Sequence, residues 1–340
     1  CEVVWACDSD PLALKTHAAN HPRTEHCLAE LPMPRSEWPF PTDGRPFHVH
    51  GSPPCQNFSN INKLHHKQGS RAHAEDLVAW TLETALASGC SSWSFEQVPS
   101  KPVIALVEAV RKRHPKRVAY ATFDFSELGV PQTRKRLLAG PPDLIAKMLR
   151  LTTRARQRSA RSAIAVPRGA SIRYPKNWKH CIKRKGHKNV YIKADWGYAC
   201  YPIDGPAPTV LAERNLNWVT PTQTGYEHSA VLPAELSMLQ TFPKSYRWPS
   251  TRIVARSQIG NSVPPLIAKL LLSPEPAPRR PVTVKCTEGG ATPTEVRVRV
   301  RVRVRVTVRV RVRVRARCQV YRGWCHAHRG RAHHPNPIPN

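Results

Sequence analysis

The 340-residue chain holds 53 Lys and Arg against 23 Asp and Glu, a formal net charge of +30 that makes a polyanion, nucleic acid first, its natural partner. A basic surface also suits acidic membranes, but no run of about 18 uninterrupted apolar residues exists to span one, and a soluble protein is expected. The 10 cysteines lack the regular close spacing of a secreted disulfide scaffold, which points to a reducing, intracellular setting, nuclear in a eukaryote and cytoplasmic in a prokaryote.

The chain opens at Cys1, inside what reads as a strand, so a targeting signal upstream would not be visible. Glu2 to Asp8 is a short apolar run ending in an acid. Pro11 to Asn20 follows with helix-like apolar spacing at Leu12, Leu14 and Ala18. After a Pro-rich connection, Phe47 to His50 leads into Gly51-Ser52-Pro53-Pro54-Cys55. Ala74 to Ala87 reads as a helix, Ser92 to Val98 as a strand and Pro102 to Arg113 as another helix. Strands alternating with helices predict an α/β fold with a parallel, doubly wound sheet.

Composition breaks after this region. From Lys147 to Lys193 there are fifteen Lys or Arg and no acid, with Tyr174, Trp178 and Tyr191 interleaved. Helical character resumes near Leu232 and runs to Leu272, where Pro274, Pro276 and Pro278 end the globular part. Val296 to Arg317 is nearly pure Arg-Val alternation with ten arginines, so the charge outside it is still +20. Like charges along its period of two repel, and the segment is read as a disordered nucleic-acid-binding arm or a neutral repeat expansion. Cys318, Cys325, His326 and His328 do not form a recognised zinc spacing, and no metal is expected.

The most informative stretch is Gly51-Ser52-Pro53-Pro54-Cys55-Gln56-Asn57-Phe58-Ser59, which puts a thiol after two prolines at the C-terminal edge of a strand. Ligands of open α/β sheets gather at that edge, and the prolines restrict the backbone ahead of a group that must be held against a substrate. Phe95-Glu96-Gln97-Val98 places an acid at the next strand end. Gly129-Val130-Pro131-Gln132-Thr133-Arg134-Lys135-Arg136 is an extended segment whose alternate arginines share a side. Further on stand Ala234 to Pro243 and Ile259-Gly260-Asn261-Ser262-Val263-Pro264-Pro265.

In these stretches and their order the chain resembles the cytosine-5 DNA methyltransferase family, over about Glu2 to Leu272. The resemblance implies a Rossmann-like, S-adenosylmethionine-dependent methyltransferase fold with a small inserted target-recognition region. The expected division is a first catalytic part over 1–140, the basic insert over 141–226, a second catalytic part over 227–272 and the tail over 273–340. It makes Cys55 the nucleophile, Glu96 the acid that assists attack, and Arg134 with Arg136 the groups that orient the flipped base and its loop. Gln97 stands where the family carries Asn.

For the cofactor, the resemblance implies Asp8 on the ribose hydroxyls, with Ser9, Glu30, Pro53, Asn261 and Ser262 around it. Ser9 replaces an often aromatic residue. The glycine-rich loop that the family places before this strand is absent, so an N-terminally truncated chain of poor stability and weak activity is expected. Gln56, Ser59, Gln132 and Thr209 are the expected nucleic-acid contacts. DNA is the expected substrate of a monomeric enzyme. Transfer RNA, the substrate of one branch of the family, and a noncatalytic nucleic-acid-binding role are the alternatives.

Overall fold

The computed structural model describes residues 2–38, 40–41, 43–54, 58, 68–167, 169–173, 192–193, 199–223 and 225–274, all within the unit Cys1–Pro278. Among them, β1 (Trp5–Asp8) leads through α1 (Pro11–Asn20) into β2 (Glu25–Leu28), which pairs with β1 in parallel. Asp10 starts α1 by accepting the Leu12 N–H at 2.8 Å, and Pro11 supplies a first-turn residue with no N–H to satisfy. Asn20 at its far end exchanges two hydrogen bonds with the Arg247 backbone, at 2.9 and 2.8 Å, and so ties this unit to the C-terminal segment.

The main sheet holds β3 (His48–Gly51), β4 (Ser92–Gln97), β5 (Ala119–Asp124) and β6 (Lys135–Gly140) in the order β3, β4, β6, β5. β3 and β4 are parallel because α2 (Gln68–Ala87) crosses between them, as the alternating pattern predicts. β6 departs from a wholly parallel sheet. It runs antiparallel to both β4 and β5, since the short connection from Asp124 to Arg134 contains only a single tight helical turn and cannot carry a crossover. Gly129 closes that turn at φ 91°, a left-handed conformation that glycine adopts without steric cost.

Side-chain alternation along β4 gives the sheet its two faces. Trp93 and Phe95 pack with Val78 and Leu82 of α2 and with Val103, Val107 and Val110 of α3 (Lys101–Arg113), whose apolar residues recur at helical spacing. Ser100 caps α3, while Arg111, Lys112 and Arg113 complement its C-terminal dipole. On the opposite face Phe123 and Leu138 pack with Leu144, Ile145 and Met148 of α4 (Pro142–Thr152) and with Ile267 and Leu271 of α7 (Pro265–Leu272). The sequence division placed 142–152 in the basic insert, but the apolar stripe of α4 joins the sheet core, with Asp143 and Arg150 exposed and Lys147 donating to the carbonyls of Leu271 and Ser273 at 2.9 and 3.0 Å.

A further core begins at Ala160. It gathers Ile172 of β7 (Ser171–Arg173), Trp218 of β10 (Asn217–Thr222), Leu236 and Leu239 of α5 (Pro233–Leu239) and Ile259 of α6 (Arg252–Asn261). β7, β10 and β11 (Gly225–Ala230) form an antiparallel sheet, and β8 (Ile192–Lys193) pairs with β9 (Ala199–Cys200). The inserted strands and the last helices therefore share one apolar interior. No described helix is long and apolar enough to cross a membrane.

Candidate active site

The end of β4 positions Glu96, which is 5% exposed. Its neighbours in the strand, Phe95 and Gln97, face the α2–α3 side, so the carboxylate emerges on the side of His50 and Ser94. Ser52, just beyond β3, donates its hydroxyl to Glu96 Oε2 at 2.8 Å. Arg136 reaches from β6 to place Nε 2.8 Å from Oε1, with both side chains at most 10% exposed. This contact is an ion pair outside hydrogen-bond alignment, and Oε1 remains buried without a hydrogen-bond donor. An oxygen in that condition is a ready acceptor for a ligand N–H or O–H.

Gln97, fully buried, turns its amide back to the loop after β3. Nε2 donates to the carbonyls of Pro53 at 2.8 Å and Pro54 at 3.5 Å, while Oε1 accepts the Val98 N–H at 2.8 Å. The two carbonyls that precede Cys55 are thus fastened to the strand carrying Glu96. Cys55, Gln56 and Ser59 lie outside the described residues.

Lower on the same face, the Ser94 hydroxyl oxygen lies 2.8 Å from both His48 Nε2 and His50 Nδ1. One hydroxyl proton allows Ser94 to donate to one ring and accept from the other, which fixes the two tautomers relative to each other. Burial, reinforced by His50 and the Lys147 ammonium, pushes the His48 imidazole down to about 4.

The two arginines do not converge. Arg134, 2% exposed, sends Nη1 to the Val210 carbonyl at 3.2 Å and Nη2 to the carbonyls of Gly260 at 3.0 Å and Ser262 at 3.1 Å. It fastens the insert and the end of α6 to the sheet, and the expected orientation of a base by this residue gives way to a structural clamp. Gln132 is likewise interior. Its amide binds Leu239 O and Gln240 Oε1 and accepts the Val210 N–H, so it is not available to touch nucleic acid. The Thr209 hydroxyl donates to Thr133 O at 2.5 Å, within the same stitching of 131–133 to 207–210, where Gln132 and Ala207 form a parallel bridge.

Of the residues expected around the cofactor, Asp8, Ser9, Glu30 and Asn261 are exposed, and Pro53 and Ser262 are half-buried. Asp8 is the last residue of β1 and accepts the Asp10 N–H on Oδ1 at 2.9 Å, which holds the carboxylate over the start of α1. Ser262 accepts from Arg134 through its carbonyl and donates its hydroxyl to Ile259 O at 2.7 Å. An exposed acid at a parallel strand end suits vicinal hydroxyls, and Asp8 fits a ribose.

Sequence reasoning missed Ser52 as a partner of Glu96, Gln97 as the anchor of the proline carbonyls and Ser94 as a bridge between imidazoles. The spacing of two on β3 and β4 was the available signal, since it puts His48, His50, Ser94 and Glu96 on one face. Among the described residues no cluster of three or more His, Cys, Asp or Glu side chains is arranged to hold a metal ion.

Parallel strands with crossover helices and an antiparallel final strand give an α/β fold like that of S-adenosylmethionine-dependent methyltransferases. A DNA modification methyltransferase encoded within an Escherichia coli prophage superposes with a TM-score of 0.53 at 18% identity, over 79% of this chain and 90% of that one. The Schizosaccharomyces pombe Dnmt2 methyltransferase gives 0.48 at 15% identity, over 79% and 89%. In sequence, the C-5 cytosine-specific DNA methylase family matches residues 148–273. The Type II methyltransferase M.HindV of Haemophilus influenzae is 26% identical over 259 residues, 66% of this chain and 73% of that protein. The chain is thus similar to cytosine-5 DNA methyltransferases, a family whose methyl donor is S-adenosylmethionine.

Proposed function

We propose that the protein methylates carbon 5 of cytosine in DNA, through a transient bond between Cys55 and the flipped base. The observation that carries this reading is the buried Glu96 carboxylate. It is paired with Arg136, held by Ser52, left with an acceptor oxygen unbonded, and next in β4 to Gln97, whose amide fastens the carbonyls that lead to Cys55. A base inside a duplex is out of reach of such a recess, so the nucleotide must be extruded.

In the proposed reaction the Cys55 thiolate forms a bond to carbon 6 while a proton reaches the ring nitrogen through the Glu96 carboxyl group. Arg136 orients the carboxyl group and limits its motion. The ring then carries enamine character at carbon 5 and can take an electrophilic methyl group. Asp8 would hold the ribose of S-adenosylmethionine, with Asn261 and Ser262 at the end of α6 beside it, and the bound cofactor would supply the electrophilic methyl group. Loss of the carbon 5 proton to a base restores the ring, breaks the carbon–sulfur bond and returns the Cys55 thiolate. The basic residues of the insert neutralise phosphates and give salt-dependent affinity.

Incubation of the protein and cofactor with duplex DNA containing 5-fluorocytosine tests the reading. Fluorine cannot leave as a cation, so the adduct should persist through denaturation and vanish in Cys55→Ala. Adduct on transfer RNA alone would transfer the reading to RNA. Adduct in Cys55→Ala would overturn it.

A further inference from the structure

Cys7 and Cys27 stand directly opposite each other in the parallel pair of β1 and β2, in register between Ala6↔His26 and Asp8↔Leu28. Neighbouring strands lie about 4.8 Å apart, and registered residues point to the same face, which brings two α-carbons within the span that a disulfide bridges. The Cys7 thiol donates weakly to Ala29 O at 4.0 Å. Both are free and half-buried. Accessibility follows from the alternation. His26 touches His17 of α1 at 2.8 Å, so α1 covers the His26 face, and Cys27 and its partner occupy the other face of the strands.

We infer that Cys7 and Cys27 are an oxidation site: a peroxide converts them to an intramolecular disulfide that clamps β1 to β2 and weakens binding of the methyl donor. Burial, reinforced by Cys27 and Asp8, pushes the Cys7 thiol up to about 11, which disfavours Cys7 as the first attacking group. The Cys27 thiolate attacks one peroxide oxygen, the oxygen–oxygen bond breaks, and water leaves as Cys27 becomes a sulfenic acid. The Cys7 sulfur then attacks the Cys27 sulfur, its proton departs with the displaced hydroxide as a second water, and the disulfide forms. Two thiols are oxidised and one peroxide is reduced to two waters. A dithiol reverses the bond by exchange.

The consequence for the cofactor rests on the proposed role of Asp8, the residue after Cys7. Closing the bridge turns both side chains toward each other and fixes the two strands one residue before Asp8 and three before Glu30, which removes the freedom of those strand ends to adjust to a ligand.

The test treats the full chain with hydrogen peroxide, blocks remaining thiols, and digests with trypsin, which separates the cysteines at Lys15 and Arg23. The expected result is a linked pair of peptides containing Cys7 and Cys27, lighter by two hydrogens than their sum, released by dithiothreitol and absent from Cys27→Ser. Calorimetry should show a several-fold rise in the Kd for S-adenosylmethionine on oxidation, reversed by the dithiol and missing in Cys27→Ser. Absence of the linked peptides, or a disulfide that leaves the Kd unchanged, overturns the inference. Asp8→Ala separates the two readings: unchanged affinity in that reduced variant would sink the role of Asp8, whereas the linked peptides would still form.

Discussion

Arg136 Nε lies 2.8 Å from Glu96 Oε1 between adjacent antiparallel strands, with the arginine side chain 10% and the glutamate side chain 6% exposed. Two buried opposite charges with so little access to water depend on each other. Removal of either leaves the other uncompensated, whereas an isosteric neutral replacement keeps the shape. Glu96→Gln keeps the shape but leaves the Arg136 charge uncompensated, so it should lose about 3 kcal/mol of stability and lose adduct formation on 5-fluorocytosine DNA by roughly 100-fold or more, the scale of a lost general acid. Glu96→Ala should cost more stability than Glu96→Gln, because the shape is lost with the charge. Denaturant titration and trapping kinetics separate the two effects, and a Glu96→Gln protein trapping at the parental rate would remove this residue from the chemistry.

Arg134 and Arg136 should respond differently to the same change. Arg134 serves three carbonyls from two other segments, a fork that a lysine cannot reproduce. Arg134→Lys is expected to lose about 1.5–3 kcal/mol, the scale of hydrogen bonds to a charged group. Unfolding measured beside Arg136→Lys checks the assignment: Arg134→Lys should fall chiefly in stability and Arg136→Lys chiefly in trapping rate.

Gly260 should tolerate no side chain. A Cβ there would lie 2.2 Å from Ala212 N and 2.4 Å from the Leu211 carbonyl carbon, both backbone atoms, at the crossing of α6 with the segment that follows Val210. Gly260→Ala must separate the two chains and disturb the Gly260 carbonyl bound by Arg134. A loss of about 1–3 kcal/mol is expected by denaturant titration, and full retention of stability would contradict this packing.

Acid should loosen the N-terminal unit. Burial, together with His21 and His26, lowers the His17 imidazole from 6.5 to about 4. The unfolded chain takes up a proton below about pH 6.5 and the folded chain only near 4. This contribution is fully present above about 6.5 and is lost as pH falls towards 4. The melting temperature should drop through that window, and less steeply in His17→Gln. Equal slopes for the two proteins would show that His17 does not set the response.

Periodicity and local punctuation carried the secondary structure. Apolar spacing at Leu12, Leu14 and Ala18 announced the first helix, and Ser92 to Val98 and Pro102 to Arg113 were legible as a strand and a helix. The antiparallel direction of β6 was not readable, since strand direction depends on how a connection crosses the sheet and leaves little trace in alternation. Nor was the place of α4: its basic residues marked it as part of the insert, while its apolar stripe, which decides packing, joined the sheet.

The sequence alone determined the chemistry that the chain can offer: a thiol after two prolines, an acid at a strand end, a pair of arginines and a large excess of positive charge, because these are properties of residue type and order. Only the tertiary structure decided how the identical side chains Arg134 and Arg136 are employed. Two residues apart in an extended segment, they start on the same side. One meets the Glu96 carboxylate and the other meets three carbonyls brought from Val210, Gly260 and Ser262. A guanidinium group takes whichever acceptors surround it, and those acceptors come from parts of the chain far away in sequence.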